Sequence, residues 1–168
     1  NGFIKIEEEY IYRNPLSIFK DVETEPLFEL AGEQITAYEG IKGKLRSQSP
    51  ILLHGVTASG KTEVYFKLIK DVIDSGKNVL FLAPEIALAS QLTKRLARKF
   101  GIKDVAIWHS SISDGEKYDV WQRLFKNEIK ILAGARSAVF APLQNIGLII
   151  IDEEHESAYK QTNPAPRY

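Results

Sequence analysis

The sequence predicts an α/β domain in which a mainly parallel sheet carries helices on both faces. Short runs of aliphatic residues, each the length of a strand, alternate along the chain with segments whose apolar residues recur at helical spacing. Apolar strands that alternate with amphipathic helices indicate βαβ units, whose sheets are buried on both sides. Ligands bind beyond the carboxyl ends of the strands in such sheets, so the residues that follow each strand are the first candidates for chemistry.

Five strands and four helices account for most of the chain after residue 30. The strands are expected at 51–55, 78–83, 104–109, 129–134 and 148–152. The helices are expected at about 33–46, 61–74, 88–100 and 114–127. Ser113 and Glu116 form a capping box that starts the last helix, and the run at 148–151 is expected to be a central, buried strand.

The first 30 residues are expected to lie outside this domain. Their apolar and polar residues alternate only briefly before Pro15 and Pro26 interrupt any regular element, which indicates a strand remnant and a linker. We therefore divide the chain into a linker region at 1–30 and one domain at 31–168. Because the chain begins with "NGFIKI" and contains no methionine, we expect it to be a piece of a longer protein.

Composition excludes several classes of protein. The absence of cysteine excludes disulfides and thiolate metal sites. No apolar run approaches the length of a membrane span, and the N-terminus lacks the order of a signal peptide, so we expect a soluble cytoplasmic protein with no membrane partner. The net charge is zero, so composition alone gives no support for a nucleic-acid partner.

The stretch "GVTASGKT" satisfies the complete P-loop pattern, between a predicted strand and a predicted helix. Its glycines let backbone N–H groups line an anion site, to which the helix N-terminus adds partial positive charge. Lys61 is expected to reach the β and γ phosphates, and the Thr62 hydroxyl to bind Mg²⁺. The residues expected to bind the nucleotide in this loop are Gly55, Val56, Thr57, Ala58, Ser59, Gly60, Lys61 and Thr62. A P-loop alone leaves open whether the protein is a kinase, a GTPase, a motor or a regulatory module.

The stretch "GLIIIDEEH" runs from aliphatic residues directly into three acids and a histidine. Asp152, at the end of the strand, is expected to hold Mg²⁺ as a second metal ligand beside Thr62. Glu153 is expected to orient or deprotonate the attacking water, which favours hydrolysis over transfer to a substrate hydroxyl. Lys61, Asp152 and Glu153 are thus the predicted catalytic set. The roles of Glu154 and His155 stay open between coupling and ordinary surface chemistry.

Two further groups of charged or polar residues are given no functional role. His54 and His109 end or occupy apolar strands and are interpreted as structural histidines, with no spacing that suggests zinc. One basic face of the helix at 88–100 is interpreted as solvated rather than as a DNA contact, and its residues are Lys94, Arg95, Arg98 and Lys99.

Several of these stretches together resemble the first motor lobe of the PriA family, the bacterial primosomal replication-restart DNA helicases. They are "GVTASGKTEVYF", "LAPEIALASQL", "HSSISDGEKYDVW", "GARSAVFAPLQNIGLIIIDEEHESAYKQ" and "PRY". The resemblance covers about residues 30–168, with Ala58 where the family commonly has glycine and Ala135 where it commonly has threonine. It implies a RecA-like P-loop NTPase lobe of a superfamily 2 helicase, with ATP and Mg²⁺ as cofactors. It also implies 3′ to 5′ movement on single-stranded DNA during replication restart.

The resemblance assigns roles to residues outside the P-loop and the acidic cluster. Gln34 stands where related helicases read adenine, although a surface glutamine explains it equally well. Motif Ia, motif Ib and the aromatic-rich loop after the acidic cluster are implied to contact DNA or to couple it to the nucleotide site. Their residues are Pro84, Glu85, Gly134, Arg136, Ser137, His155, Tyr159, Lys160, Arg167 and Tyr168.

The resemblance also implies partners that the chain does not contain. These are a second helicase lobe in cis with an arginine finger, fork-structured DNA, primosome proteins and single-strand-binding proteins. Zinc is implied only in the second half of the parent protein, which this chain does not include. Residues 1–22 resemble the tail of a winged-helix domain. The chain alone is expected to bind nucleotide weakly and not to unwind DNA. The alternatives are a P-loop small-molecule kinase, for which no arginine-rich lid is found, and a non-catalytic nucleotide-binding module, which Glu153 argues against.

Overall fold

A four-stranded parallel sheet forms the centre of the protein, as the computed structural model shows for residues 11–13, 15–16, 24–47, 49–56 and 59–160. The strands are β1 (Asn78–Leu82), β2 (Val105–Trp108), β3 (Ile131–Gly134) and β4 (Ile146–Ile151). Their order in the sheet is β2-β3-β1-β4, and every neighbouring pair is parallel. The prediction of an α/β fold with a parallel sheet is confirmed.

Within the described residues four helices accompany these strands, namely α1 (Glu33–Lys42), α2 (Lys61–Asp74), α3 (Ile86–Phe100) and α4 (Asp114–Phe125). Short 3-10 helices occupy Leu45–Ser47, Arg136–Phe140 and Ser157–Tyr159. The side chains of β1 alternate between the two faces of the sheet, with Phe81 in a core shared with α2 and α3 and Leu80 in a core shared with α4. Helices therefore cover both faces, as predicted.

Local signals account for the helix ends. The bounds of α2 are those predicted, because Gly60 before it and Gly76 after it take left-handed φ values of 80° and 79°. At the start of α4 the Ser113 hydroxyl accepts the Glu116 N–H at 3.3 Å, and the Ser113 N–H donates to the Glu116 carboxylate at 2.9 Å. The predicted capping box is thus confirmed.

Two strand predictions are wrong, and they concern neighbouring parts of the molecule. Residues 51–55 form no strand, since they pair with no strand among the described residues, and only Leu53 packs inward, against Tyr38 and Val64. β4 is an edge strand rather than a central one, because β1 is its single neighbour in the described part of the chain. Ile149 and Ile151 consequently remain 55% and 49% exposed.

The segment before α1 packs against the domain at several points. The Arg13 backbone N–H and Nε both donate to the buried Asp119 carboxylate at 2.8 Å, and Leu16 enters the core beside α2 and α3. The Lys99 ammonium, whose side chain is 6% exposed, lies 3.2 Å from the Glu25 carboxylate. The interpretation of the basic face of α3 as solvated is therefore wrong for Lys99. The division at residue 30 stays a prediction.

None of the helices in the described residues is long and apolar enough to cross a membrane.

Candidate nucleotide site

The P-loop joins residues 51–55 to α2, and Gly60 is the N-cap of that helix. Glycine is favoured at Gly60 by its left-handed φ, and a Cβ atom there would also displace the side-chain amide of Gln34. The Lys61 ammonium donates to the carbonyl oxygens of Gly55 at 2.7 Å and Val56 at 3.2 Å. The Lys61 side chain therefore lies across the P-loop, whose phosphate ligand it is predicted to bind.

Gln34 contacts the P-loop directly. Its Nε2 donates to the carbonyl oxygen of Ser59 at 3.2 Å, and its Oε1 accepts the Ala31 N–H at 3.2 Å. The side chain thus bridges the start of α1 and the loop. This placement fits a residue beside the nucleotide, and its contact with adenine stays a prediction. Thr57 and Ala58 of the predicted loop set lie outside the described residues.

Asp152 extends the ladder of β4 by one residue, because its backbone N–H donates to the carbonyl oxygen of Leu82 at 2.9 Å. Burial is the main cause that raises the pKa of its carboxyl group, and the neighbouring charge of Glu153 adds to the effect. The positive charge of Lys61 opposes this rise. A half-buried carboxylate at this position is suited to bind a cation that itself carries phosphate ligands.

Two tyrosine hydroxyls contact Asp152. The Tyr65 hydroxyl lies 3.5 Å from Asp152 Oδ1, and the Tyr159 hydroxyl donates to the Asp152 carbonyl oxygen at 2.8 Å. Burial, followed by the charge of Asp152, raises the pKa of Tyr65 to about 12 and raises the pKa of Tyr159 as well. Both hydroxyls therefore stay protonated near neutral pH and remain donors.

Tyr65 was not predicted as a site residue, although its position four residues after Lys61 places the two on the same face of α2. Its ring packs edge-on against Phe81 at a centroid distance of 5.6 Å, which fixes its orientation. Tyr159 belongs to the loop that the resemblance implies to contact DNA or to couple it to the nucleotide site. The structure places its ring partly buried against the core that α4 covers and its hydroxyl on Asp152.

Glu153 adopts a left-handed backbone conformation with φ of 50°, which is uncommon for a residue with a side chain. Strained conformations of this kind cluster at functional sites. The Glu153 carboxylate is about half exposed and lies 3.8 Å from Nε2 of His155, which in turn lies 3.9 Å from the Glu156 carboxylate. The exposed side chains of Glu153, His155 and Glu156 thus lie close together after the end of β4.

Arg95 of α3 reaches the first turn of α2. Its guanidinium lies 3.4 Å from the Thr62 hydroxyl and 3.3 Å from the Glu63 carboxylate. Arg95 is about half exposed, as expected for a solvated face, but its guanidinium also contacts α2. No pattern in the sequence signals this contact, since the partners are more than thirty residues apart.

The residues implied to contact DNA follow β1 and β3, which are adjacent parallel strands. Glu85 lies exposed after β1, and Arg136 and Ser137 lie exposed after β3. Gly134 is required at its position because a Cβ atom there would collide with the carbonyl oxygen of Trp108. These loops follow the carboxyl ends of their strands, as Asp152 does in β4, so all of them lie at the same end of the parallel sheet. Arg167 and Tyr168 lie outside the described residues, and Lys160 is exposed.

The histidines differ in environment. His109 is buried, which lowers its pKa, and its Nδ1 accepts the Ser111 N–H at 3.2 Å. Its interpretation as structural is confirmed. His54 is exposed, so it is not the packed histidine that was expected.

The donor set fits a magnesium-bound triphosphate. It combines the N-terminus of the 14-residue helix α2, the Lys61 ammonium, the Thr62 hydroxyl and the half-buried Asp152 carboxylate at the carboxyl end of the sheet. An anionic ligand suits the first two groups and a hard cation the last two.

Comparison with known proteins agrees with this geometry. A family model described as ResIII, the Type III restriction enzyme res subunit, matches residues 27–166. The replication restart protein PriA of Bacillus subtilis is 47% identical in an alignment of 169 positions that covers 99% of this chain, and that of Synechocystis sp. is 52% identical in an alignment of 124 positions that covers 74%. The chain belongs to the ResIII family, and it is similar to the PriA proteins over most of its length.

The chain spans 21% of the length of the Bacillus subtilis protein and 15% of the Synechocystis protein. A structure of RecG bound to a three-way DNA junction superposes with a TM-score of 0.68 at 28% identity, covering 83% of this chain and 20% of that one. The predicted RecA-like lobe and the predicted family are both confirmed.

Proposed function

We propose that the chain is the ATP-binding motor lobe of a DNA helicase or translocase that acts in replication restart. The observation that carries the proposal is the position of Lys61 at the start of α2 and of Asp152 directly after β4, with Glu153 next to it in a left-handed backbone conformation. Similarity to the PriA proteins supports this function over a small-molecule kinase or a non-catalytic nucleotide module.

Each residue of the site has a distinct task in this proposal. ATP supplies the phosphoanhydride bond to be hydrolysed, and Mg²⁺ neutralises charge on its phosphates. Lys61 and the N-terminus of α2 bind the phosphates, while Thr62 and Asp152 hold the metal ion. Glu153 orients the attacking water and takes its proton. Tyr65 and Tyr159 keep Asp152 in place through its carboxylate and its carbonyl oxygen.

The exposed loops after β1 and β3 are the proposed DNA contact. Their small residues, hydroxyls and arginine suit a sugar-phosphate backbone without reading its sequence. RecG, which shares this fold, is bound to a DNA junction in its structure, and this supports a DNA path on this kind of lobe. Movement from 3′ to 5′, a second lobe in cis with an arginine finger, and primosome and single-strand-binding partners follow from the family resemblance. Without that second lobe we expect slow hydrolysis and no unwinding.

Glu153→Gln tests the proposed function in a longer chain that contains both lobes. ATP binding should survive, because the phosphate and metal ligands are unchanged. DNA-stimulated hydrolysis, measured as phosphate release, should fall by about 10²-fold or more because the general base is lost.

The matched control is Asp74→Asn, which also replaces a carboxylate by an amide but lies at the far end of α2 in an exposed pair with Lys70. It should hydrolyse ATP at the parent rate. Hydrolysis by Glu153→Gln that equals that of the control would reject the assigned role.

A further inference from the structure

Arg95 makes three contacts that fix its guanidinium against α2. One nitrogen lies 3.4 Å from Thr62 Oγ1, a second lies 3.3 Å from Glu63 Oε1, and the guanidinium carbon lies 5.3 Å from the centroid of the Phe66 ring. Phe66 is buried, so the surface on which the guanidinium rests is rigid. Arg95 is half exposed, and these contacts direct its guanidinium to the P-loop helix.

The oxygen that faces Arg95 is the one that the proposed function gives to magnesium. A threonine hydroxyl has one oxygen, and a guanidinium that donates to it draws its lone-pair density toward α3. A divalent cation at the same oxygen would also experience repulsion from the guanidinium charge. The contact with Arg95 and the bond to the metal therefore oppose one another.

Glu63 provides a second partner that keeps Arg95 in place. One oxygen of its carboxylate pairs with Arg95, and the other is buried without a hydrogen-bond partner among the described residues. When the Thr62 hydroxyl turns away, the guanidinium can move toward this carboxylate. Arg95 thus has a position to occupy both before and after metal binding.

We propose that Arg95 is a positioning residue for Thr62. In the nucleotide-free lobe Arg95 holds the Thr62 hydroxyl toward α3, and it competes with Mg²⁺ for the hydroxyl oxygen. This inference rests on the proposed function, since it takes Thr62 as a metal ligand. α3 begins at Ile86, directly after Pro84 and Glu85. The helix that carries Arg95 therefore directly follows the motif Ia residues, and the contact links the proposed DNA loop to the metal ligand.

The test is a magnesium titration of the binding of a fluorescent ATP analogue to the 168-residue chain. In Arg95→Gln the Mg²⁺ concentration at half-saturation should fall about 2- to 10-fold, which corresponds to the loss of one competing hydrogen bond. Arg95→Lys keeps the positive charge but lacks the fork that reaches both partners, so it should show a fall in the same direction. Affinity in EDTA should change less than about 2-fold in both variants, because no metal competes there.

Arg98→Gln is the matched control, because Arg98 lies exposed on the same helix and its substitution removes the same charge. It should leave the magnesium requirement unchanged. Thr62→Ala removes the contested oxygen, so it should raise the magnesium requirement and abolish the effect of Arg95→Gln in the double variant.

The outcomes separate this inference from the proposed function. A wild-type magnesium requirement in Thr62→Ala would show that Thr62 is no metal ligand, and both would fail. The inference alone is overturned if Thr62→Ala weakens magnesium binding while Arg95→Gln has no effect. It is equally overturned if Arg95→Lys behaves as wild type, or if the effect of Arg95→Gln persists without the Thr62 hydroxyl, because charge alone would then explain it.

Discussion

β1 and β4 are built from similar residues and run side by side, yet their burial is opposite. All five residues of β1 are buried, whereas Ile150 is the one fully buried residue among the six of β4. β1 has a strand on each edge and helices on both faces, while β4 has one neighbouring strand in the described part of the chain. An aliphatic run therefore predicts a strand, but its depth depends on partners that come from elsewhere in the sequence.

Phe81→Ala should have the largest effect on stability. Phe81 lies in β1 with no exposed surface and packs against the Tyr65 ring, so truncation leaves a cavity. The free energy of unfolding should fall by about 3–5 kcal/mol, as measured by urea denaturation. A loss below about 1 kcal/mol would mean that β1 is no better packed than β4.

Leu53→Ala should have an intermediate effect, because Leu53 packs inward although residues 51–55 form no strand. We expect a loss of about 1–2 kcal/mol in the same measurement. Leu52→Ala is the control, since its side chain is 71% exposed and should cost less than about 0.5 kcal/mol. Equal losses for the two variants would contradict the observed packing.

Ser113→Ala provides a scale for an interaction that does not depend on the sheet. Removing the cap of α4 should cost about 1 kcal/mol at pH 7. Hydrogen bonds from Ser113 lower the pKa of Glu116, so their contribution is present above the ordinary glutamate pKa and is lost as the pH falls through the lowered value. The difference between wild type and variant should therefore shrink in acid, and an unchanged difference there would argue against a role for the ionised Glu116.

Ile149→Lys should have the smallest effect on the free energy of unfolding, within about 0.5 kcal/mol, because more than half of the side chain is already exposed. An exposed apolar edge strand favours association, so the charge should also reduce self-association, seen as lower light scattering at high protein concentration. A large loss of stability would show that this face of β4 is covered.

The parts of the fold that the sequence predicts well are those that local signals determine. The bounds of α2 follow from Gly60 and Gly76, and the start of α4 follows from Ser113 and Glu116. The strand assigned to 51–55 was wrong because a strand exists only where a neighbour accepts its hydrogen bonds, and no neighbour is encoded within the run itself.

The candidate site shows the same division. The spacing of the P-loop correctly placed Lys61 at the start of α2, and the aliphatic run correctly placed Asp152 directly after β4, although the strand expected before the P-loop does not form. The contacts of Tyr65 with Asp152 and of Arg95 with Thr62 were not predicted, because the partners are distant in sequence. Only the packing of α2 against β4 and α3 brings these side chains together. Long-range contacts of this kind have no periodic signature.

We expect the end of β4 and the P-loop together to bind a magnesium-bound triphosphate. The most direct test compares the binding of a fluorescent ATP analogue to wild type and Asp152→Asn, each with Mg²⁺ and with EDTA. Wild type should bind more tightly with Mg²⁺, and Asp152→Asn should lose this difference while its affinity in EDTA stays within about 2-fold, since a carboxamide is a poor ligand for a hard cation. Retention of the wild-type magnesium dependence by Asp152→Asn would contradict this expectation.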